Sequence, residues 1–518
     1  MAEFFLIALG LCLLVGILSG VPVAFVLIGV PAVLAMIASL FGAFDLSILA
    51  AFPSKSFGLL TNPIFLSVPL FVLMGSLLEG SDIARRMMMT AGAMFGERRG
   101  GMAVAIVLVG ALLAASTGVI GATIFMLGMI AVPAMLQAGY SKTLTAGVIC
   151  ASGSLGQIIP PSILLILLTD QISAAYQAGR RAAGDWAPIP VTVGDLFAGA
   201  LLPGLLLVVL YIVYIVVMAK LRPASCPPVR LQDEAGASIQ LTKSYVAQSL
   251  IMPLLLILIV LGSILMGVAT ATESAALGAA GALVMAALED RKLPRWKRVF
   301  MIAVLPAALT LVLVKSAGGA QAYILLALIG VVGLAVLCGG IFLALWQEHI
   351  AGRIMPAAEQ TASLVSMLVL IVLGAAMLSL VFRGFGGDVI VRDFLQNLPG
   401  GTATAILFTM VVIFLLGFII EYVEIIFIVV PIAGPPLMEL GVDPVWFAIL
   451  ISMNLQMSFL TPPFGYALFY FRRVAPPELT TTDIYRGIIP FVCLQVLALG
   501  IVAAVPQLAT WLPAVLYK

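Results

Sequence analysis

The sequence predicts an all-α polytopic membrane protein. Three observations carry this. Of the 518 residues 63% are hydrophobic and 9% charged, against about one quarter charged in a soluble domain. The mean hydropathy is +1.23. Apolar runs of about 20 residues, the length that crosses a bilayer, recur from end to end. A transmembrane barrel would alternate in short segments instead.

Met1–Gly20 has no basic region ahead of its apolar run, so it reads as a first membrane helix and not as a cleaved signal. Further apolar segments fall near 21–40, 62–80, 101–138, 142–170, 193–219, 246–268, 271–290, 299–314, 322–346, 362–381, 401–440, 442–472 and 487–515. Residues 81–97 and 388–398 are short and mixed, and they suit helices lying in the interface. The loops around Arg85–Arg99, Lys220–Lys243 and Arg291–Arg298 concentrate the basic residues, so they face the cytoplasm. Threading from there puts 171–192 outside and divides the 25 basic residues into 17 inside and 8 outside. A net charge of +2 with no basic face outside the loops argues against nucleic acid as a partner. The five cysteines lack metal or disulfide spacing and read as free thiols. No cofactor is expected.

Proline and glycine reveal a repeat. Gly139 precedes Pro160 and Pro161 as Gly441 precedes Pro462 and Pro463, and Pro133 matches Pro435, all at an offset of 302. Each Pro pair interrupts an apolar segment, and irregular backbone at membrane depth is tolerated only where it lines a buried cavity. The expectation is two re-entrant hairpins, 142–170 and 442–472, one opening to each side. That is the inverted-topology repeat of many secondary transporters. Two merely kinked helices would leave the matched spacing and polar tips unexplained. The domains are then 1–219, a linker 220–245, and 246–518 with a two-helix insertion near 293–350. Further polar breaks lie at 114–123, 267–277 and 418–426. Freed carbonyls with Ser and Thr hydroxyls are hard oxygen ligands suited to Na+, and half-helix N-termini suit an anion.

Intramembrane charges are expensive and mark functional sites by default. Glu421 is the strongest candidate, for ion or substrate work. Glu424, one turn on, shares its pocket. Glu273 in "TATES" fits a helix cap instead. Asp170 and Arg383 are expected at outer ends, and His349, the single histidine, at the surface.

The segments "GVPVAF", "SVPLFVLMG", "GALLAASTG", "SGSLGQIIPPS", "GVATATESAALGA", "DPVWF" and "NLQMSFLTPPFGYALFYFRRVAP" give the chain a resemblance, along nearly its whole length, to the large membrane subunit of tripartite ATP-independent periplasmic (TRAP) transporters. "EYVEI" and "NLQMSFLTPPFG" resemble the branch that handles mannitol, chloroaromatic acids, lactate and 2-oxo acids. The resemblance implies Na+-driven, elevator-type uptake of a small organic anion across the bacterial inner membrane. The implied partners are a small four-helix membrane subunit and a periplasmic solute-binding protein. It implies ion and substrate ligands at Ser152, Gly153, Ser154 and Gly156, beside Pro160 and Pro161, and at Asn454, Thr461 and Gly465, beside Pro462 and Pro463. Facing them would stand Thr117, Gly118, Thr272 and Glu421. The chain departs from the family where Thr117-Gly118-Val119 replaces Ser-Gly-Ser and where Glu421 replaces Asp.

Competing functions fare less well. No Gly-Lys-Ser/Thr phosphate loop supports an ATP-driven pump. A single histidine and no His-Glu-x-x-His leave little for an intramembrane hydrolase, so no enzyme is expected. A proton-coupled carrier of organic anions is the nearest rival.

Overall fold

In hydrocarbon an apolar run must satisfy its own backbone N–H and C=O groups, which makes these runs helices. The computed structural model describes residues 1–117, 120–229, 242–288, 348–463 and 465–517, with 294, 296, 333, 338–344 and 346 besides. Along them run α1 (Ala2–Leu18), α2 (Val23–Leu40), α3 (Ala51–Leu60), α4 (Pro63–Glu79), α5 (Ile83–Phe95), α6 (Gly101–Thr117), α7 (Ile120–Gln137), α8 (Lys142–Ser154), α9 (Ile163–Ala182) and α10 (Val193–Leu221). Then follow α11 (Met252–Leu265), α12 (Ala271–Leu288), α13 (Glu348–Gly384), α14 (Gly387–Gln396), α15 (Gly401–Leu416), α16 (Tyr422–Glu439), α17 (Pro444–Leu460), α18 (Tyr466–Val474), α19 (Thr481–Ala504) and α20 (Gln507–Tyr517). Among the described residues there is no strand, and eight helices are long and apolar enough to cross a bilayer. The expected segments 299–314 and most of 322–346, and most of the basic stretch 291–298, lie outside the described residues.

The segments 81–97 and 388–398 are helical as expected, as α5 and α14. Other elements differ from expectation. A helix over 46–60 was not anticipated, because Ser54, Lys55 and Ser56 dilute its apolar run; it meets α4 at a bend of 52°. Asp170 is not at an outer end. It lies inside α9, where Asn62 donates to its Oδ1 at 2.6 Å and Gln171 to its Oδ2 at 2.7 Å.

The chain packs as two compact units, each drawn from both halves of the sequence. The first comprises Met1–Leu66, Leu164–Leu196 and Ala362–Ser458. The second comprises Ser67–Ile163, Phe197–Thr361 and Phe459–Lys518. The repeat is visible in the helix ends. α7 spans 120–137 and α16 spans 422–439, so both boundaries differ by 302. Each is followed by a left-handed glycine, Gly139 at φ +85° and Gly441 at φ +83°, a conformation that only glycine adopts cheaply.

A pair of helices stands just ahead of each expected hairpin, 142–170 and 442–472. In the second unit Gly100, heading α6, donates to Cys226 O at 3.1 Å, and Val229 donates to Gly96 O at 2.6 Å. Ser141, just past α7, donates to Ser225 O at 3.2 Å. Both ends of the α6–α7 pair are therefore tied to one loop, so α6 enters and α7 returns. In the first unit Arg392 of α14 bonds Glu439, the last residue of α16, while α14 leads directly into α15. The start of α15 and the end of α16 thus share a face. The hairpins are α6–α7 and α15–α16, whose limbs pack on each other. The Pro pairs, both joined by cis bonds, lie in the breaks between α8 and α9 and between α17 and α18. A Pro pair deletes N–H donors and stops a helix, whereas a hairpin also needs two limbs that pack together. Lys142, at the start of α8, donates its Nζ to Glu478 O at 2.6 Å.

Small residues let these helices approach, as membrane helix packing requires. A Cβ at Gly147 of α8 would stand 2.1 Å from the Gly487 carbonyl oxygen of α19. In the first unit a Cβ at Gly179 of α9 would stand 2.5 Å from Pro435 O of α16.

Candidate functional site

In the second unit the polar end of α8 lies against the α6–α7 hairpin. A Cβ at Gly110 of α6 would meet Ser152 Cβ at 2.7 Å, and one at Gly153 would meet Ile124 of α7 at 2.3 Å. These glycines hold the end of the broken helix beside the hairpin's apical turns. Ser152, Gly153, Ser154 and Gly156 are all buried, as are Pro160 and Pro161. Ser154 Oγ donates to Ala151 O at 2.9 Å, and Ser162 Oγ to Gln157 O at 2.8 Å. Ser152 Oγ has no hydrogen-bond partner among the described residues. A buried hydroxyl is rarely left in that state.

The limb α18 closes the same constellation. Tyr470 stands against Gly121 near the start of α7, where a Cβ would meet its ring at 2.8 Å. Ahead of α18, Gly465 N donates to Thr461 O at 3.1 Å, and Tyr485 Oη donates to Pro463 O at 3.3 Å. A Cβ at Gly465 would stand 2.5 Å from Phe459 O, so this turn needs glycine. Thr461, Pro462 and Pro463 are partly to fully exposed, unlike their counterparts after α8.

The first unit repeats the arrangement with other side chains. Asn454 of α17 stands 302 residues beyond Ser152, and its Nδ2 donates to Met410 O of α15 at 2.6 Å. A Cβ at Gly417, where α15 ends, would stand 2.1 Å from Ser458 Oγ. The hairpin apex then runs to Glu421, the N-cap of α16, in extended backbone at φ −74° and ψ 167° with no side-chain cap bond. Glu424, in the first turn, is 4% exposed, and its Oε2 has no partner among the described residues. Glu421 thus makes no side-chain cap bond. The cap reading given to Glu273 holds: its Oε2 accepts from Thr270 N at 2.8 Å.

The predicted residues thus fall into two constellations. The second unit brings Ser152, Gly153, Ser154 and Gly156 to the α6–α7 hairpin, with Gly465 at the head of the adjoining α18. The first unit brings Asn454 to the hairpin that carries Glu421. Thr272 sits apart, at the start of α12, beyond a break pinned by Ser263 Oγ and Ser274 Oγ at 2.8 Å. Gly118 and the side chain of Thr117 lie outside the described residues. Sequence reasoning missed Tyr470, Ser458 and Asn62. Asn62 had a signal in "TNP", an Asn-Pro turn; the other two look like ordinary helix residues. Among the described residues no group of three metal-ligating side chains occurs.

Comparison with known proteins agrees with this geometry. Residues 11–508 match the model of a family described as "Tripartite ATP-independent periplasmic transporter, DctM component". The chain is 27% identical over 451 residues to the C4-dicarboxylate TRAP transporter large permease protein DctM of Vibrio cholerae, covering 87% of this chain and 86% of that one. It is 24% identical over 505 residues to the 2,3-diketo-L-gulonate TRAP transporter large permease protein YiaN of Escherichia coli, covering 97% of each. Among solved structures, the Alcanivorax borkumensis YdaH transporter shares the fold at a TM-score of 0.56 over 90% of both chains, with 14% identity.

Proposed function

The chain belongs to the family of DctM components, the large permease subunits of TRAP transporters, and from that premise we propose that it couples inward movement of Na+ to uptake of a small organic-acid anion. It is a multi-pass membrane transport protein and not an enzyme. The proposed setting is the bacterial inner membrane. A separate four-helix subunit would complete the permease, and a periplasmic solute-binding protein would deliver the anion. The relatives named for C4-dicarboxylate and 2,3-diketo-L-gulonate support an organic acid as substrate, and the resemblance to the 2-oxo acid branch suggests which kind. The hairpins would move with the bound anion as an elevator.

The observation that carries Na+ coupling is Ser152 Oγ, buried beside a hairpin with no partner among the described residues. Na+ is a hard cation that such an oxygen, with the carbonyls freed at the break, can coordinate. A second reading, proton coupling, draws on Glu424, whose buried and unpartnered Oε2 suits a proton or a cation. Uptake into proteoliposomes holding the permease and its partners, at fixed pH, separates the two. Na+ coupling requires uptake with an inward Na+ gradient and none when K+ replaces Na+. Equal uptake in both media, rising instead with an inward proton gradient, transfers the coupling to Glu424.

A further inference from the structure

The first unit holds a cleft of about 240 Å³ where α9, α13 and α16 all end, walled on one side by α14. Two of these helices, α13 and α16, are apolar enough to cross a bilayer, and their shared end marks the level of the lipid headgroups. Four charges line the cleft: Arg383, Asp388, Arg392 and Glu439. Arg392 and Glu439 neutralise each other in an ion pair, and Gln396 adds a bond to Glu439 at 3.0 Å. That leaves Arg383 and Asp388, for which the described residues supply no hydrogen bond or ion pair. Arg383 also feels the like charge of Lys55, whose Nζ donates to Ser379 Oγ at 3.2 Å one turn earlier on α13. An uncompensated guanidinium beside an ammonium is a place for an anion.

Other lining groups suit a cation. Pro435 and Pro436 have no N–H, so the carbonyls of Pro431 and Ile432 lose their donors in α16, and both residues line the cleft. Those two carbonyls and the Asp388 carboxylate favour positive charge. Beside them α14 exposes Val389, Ile390 and Phe394, an apolar edge for lipid chains.

We propose that this cleft binds the headgroup of a zwitterionic phospholipid, phosphatidylethanolamine, with its phosphate on Arg383 and its ammonium on Asp388 and the carbonyls of Pro431 and Ile432. The charge pattern selects this occupant: one free positive and one free negative group match a zwitterion, whereas phosphatidylglycerol would leave Asp388 facing a second negative charge.

Native mass spectrometry of the detergent-purified protein tests the assignment, with phosphatidylethanolamine or phosphatidylglycerol added at equal ratio. Wild type should retain the former in preference, and Arg383→Ala should lower its retention by about fivefold or more, as for loss of a charge-assisted bond. Asp388→Asn, which keeps the shape, should bring the two lipids to equal retention. Thermal melting of each variant guards against misfolding, and Asp388 is exposed, so its variant should fold. Equal retention of both lipids by wild type would overturn the proposal. So would wild-type retention by both variants, whether or not they lose affinity for a solute-binding protein; such a loss would make the cleft a protein-docking site.

Discussion

Ser152→Ala separates an ion ligand from a structural hydroxyl. The substitution removes one oxygen and keeps the Cβ that packs on Gly110. The oxygen is buried with no partner among the described residues, and leaving such a group unsatisfied costs about 1–3 kcal/mol. In Na+-free medium the variant should therefore be more stable than wild type, by about 1 kcal/mol or more. With Na+ the order should reverse or close, because wild type gains a bond that the variant lacks. Loss of one ligand should weaken apparent Na+ affinity about tenfold, equivalent to about 1.4 kcal/mol. The assays are thermal unfolding of the purified protein across a Na+ titration in choline chloride, and the Na+ dependence of uptake in proteoliposomes. A variant that melts below wild type without Na+, and keeps its half-saturating Na+ concentration, refutes the reasoning: the hydroxyl would then be structural.

The remaining predictions concern the frame around that oxygen. Gly147→Ala places a methyl 2.1 Å from a backbone oxygen of α19, so the helices must separate; a loss of about 1–3 kcal/mol is expected on unfolding, and an unchanged melting curve would contradict the close approach. Replacing Pro160 and Pro161, or Pro462 and Pro463, by Ala should let helix extend through the break and strongly reduce transport at normal expression; wild-type transport by either double variant would make the breaks incidental. With α6–α7 and α15–α16 as the re-entrant pairs, Lys142→Cys should react with an impermeant maleimide from the cytoplasmic side and Asp443→Cys from the outside; the opposite pattern would make the Pro-pair segments the hairpins. The native Cys226 should stay silent in that assay at neutral pH, because it is buried and burial raises its thiol pKa, depleting the thiolate.

The sequence by itself determined that this is a helical membrane protein, where nearly every span runs, and that its halves repeat at an offset of 302 residues. These follow from local rules: apolar length sets the span, and Pro and Gly mark the breaks. The ionisable candidates were equally legible, since Glu421 and Glu424 stand out in any apolar run. Only the tertiary structure decided which breaks reverse the chain. A Pro pair and a polar turn both interrupt a helix in sequence, and what distinguishes a hairpin is limbs that pack back on each other and ends tied to one face, as Gly100 and Ser141 are to the loop at Ser225 and Cys226. The same holds for Ser152 and Asn454. They occupy matching places in the repeat, yet the amide finds Met410 O while the hydroxyl finds no partner among the described residues. Reach and neighbours across helices settle that difference, and neither is encoded in the spacing of residues along the chain.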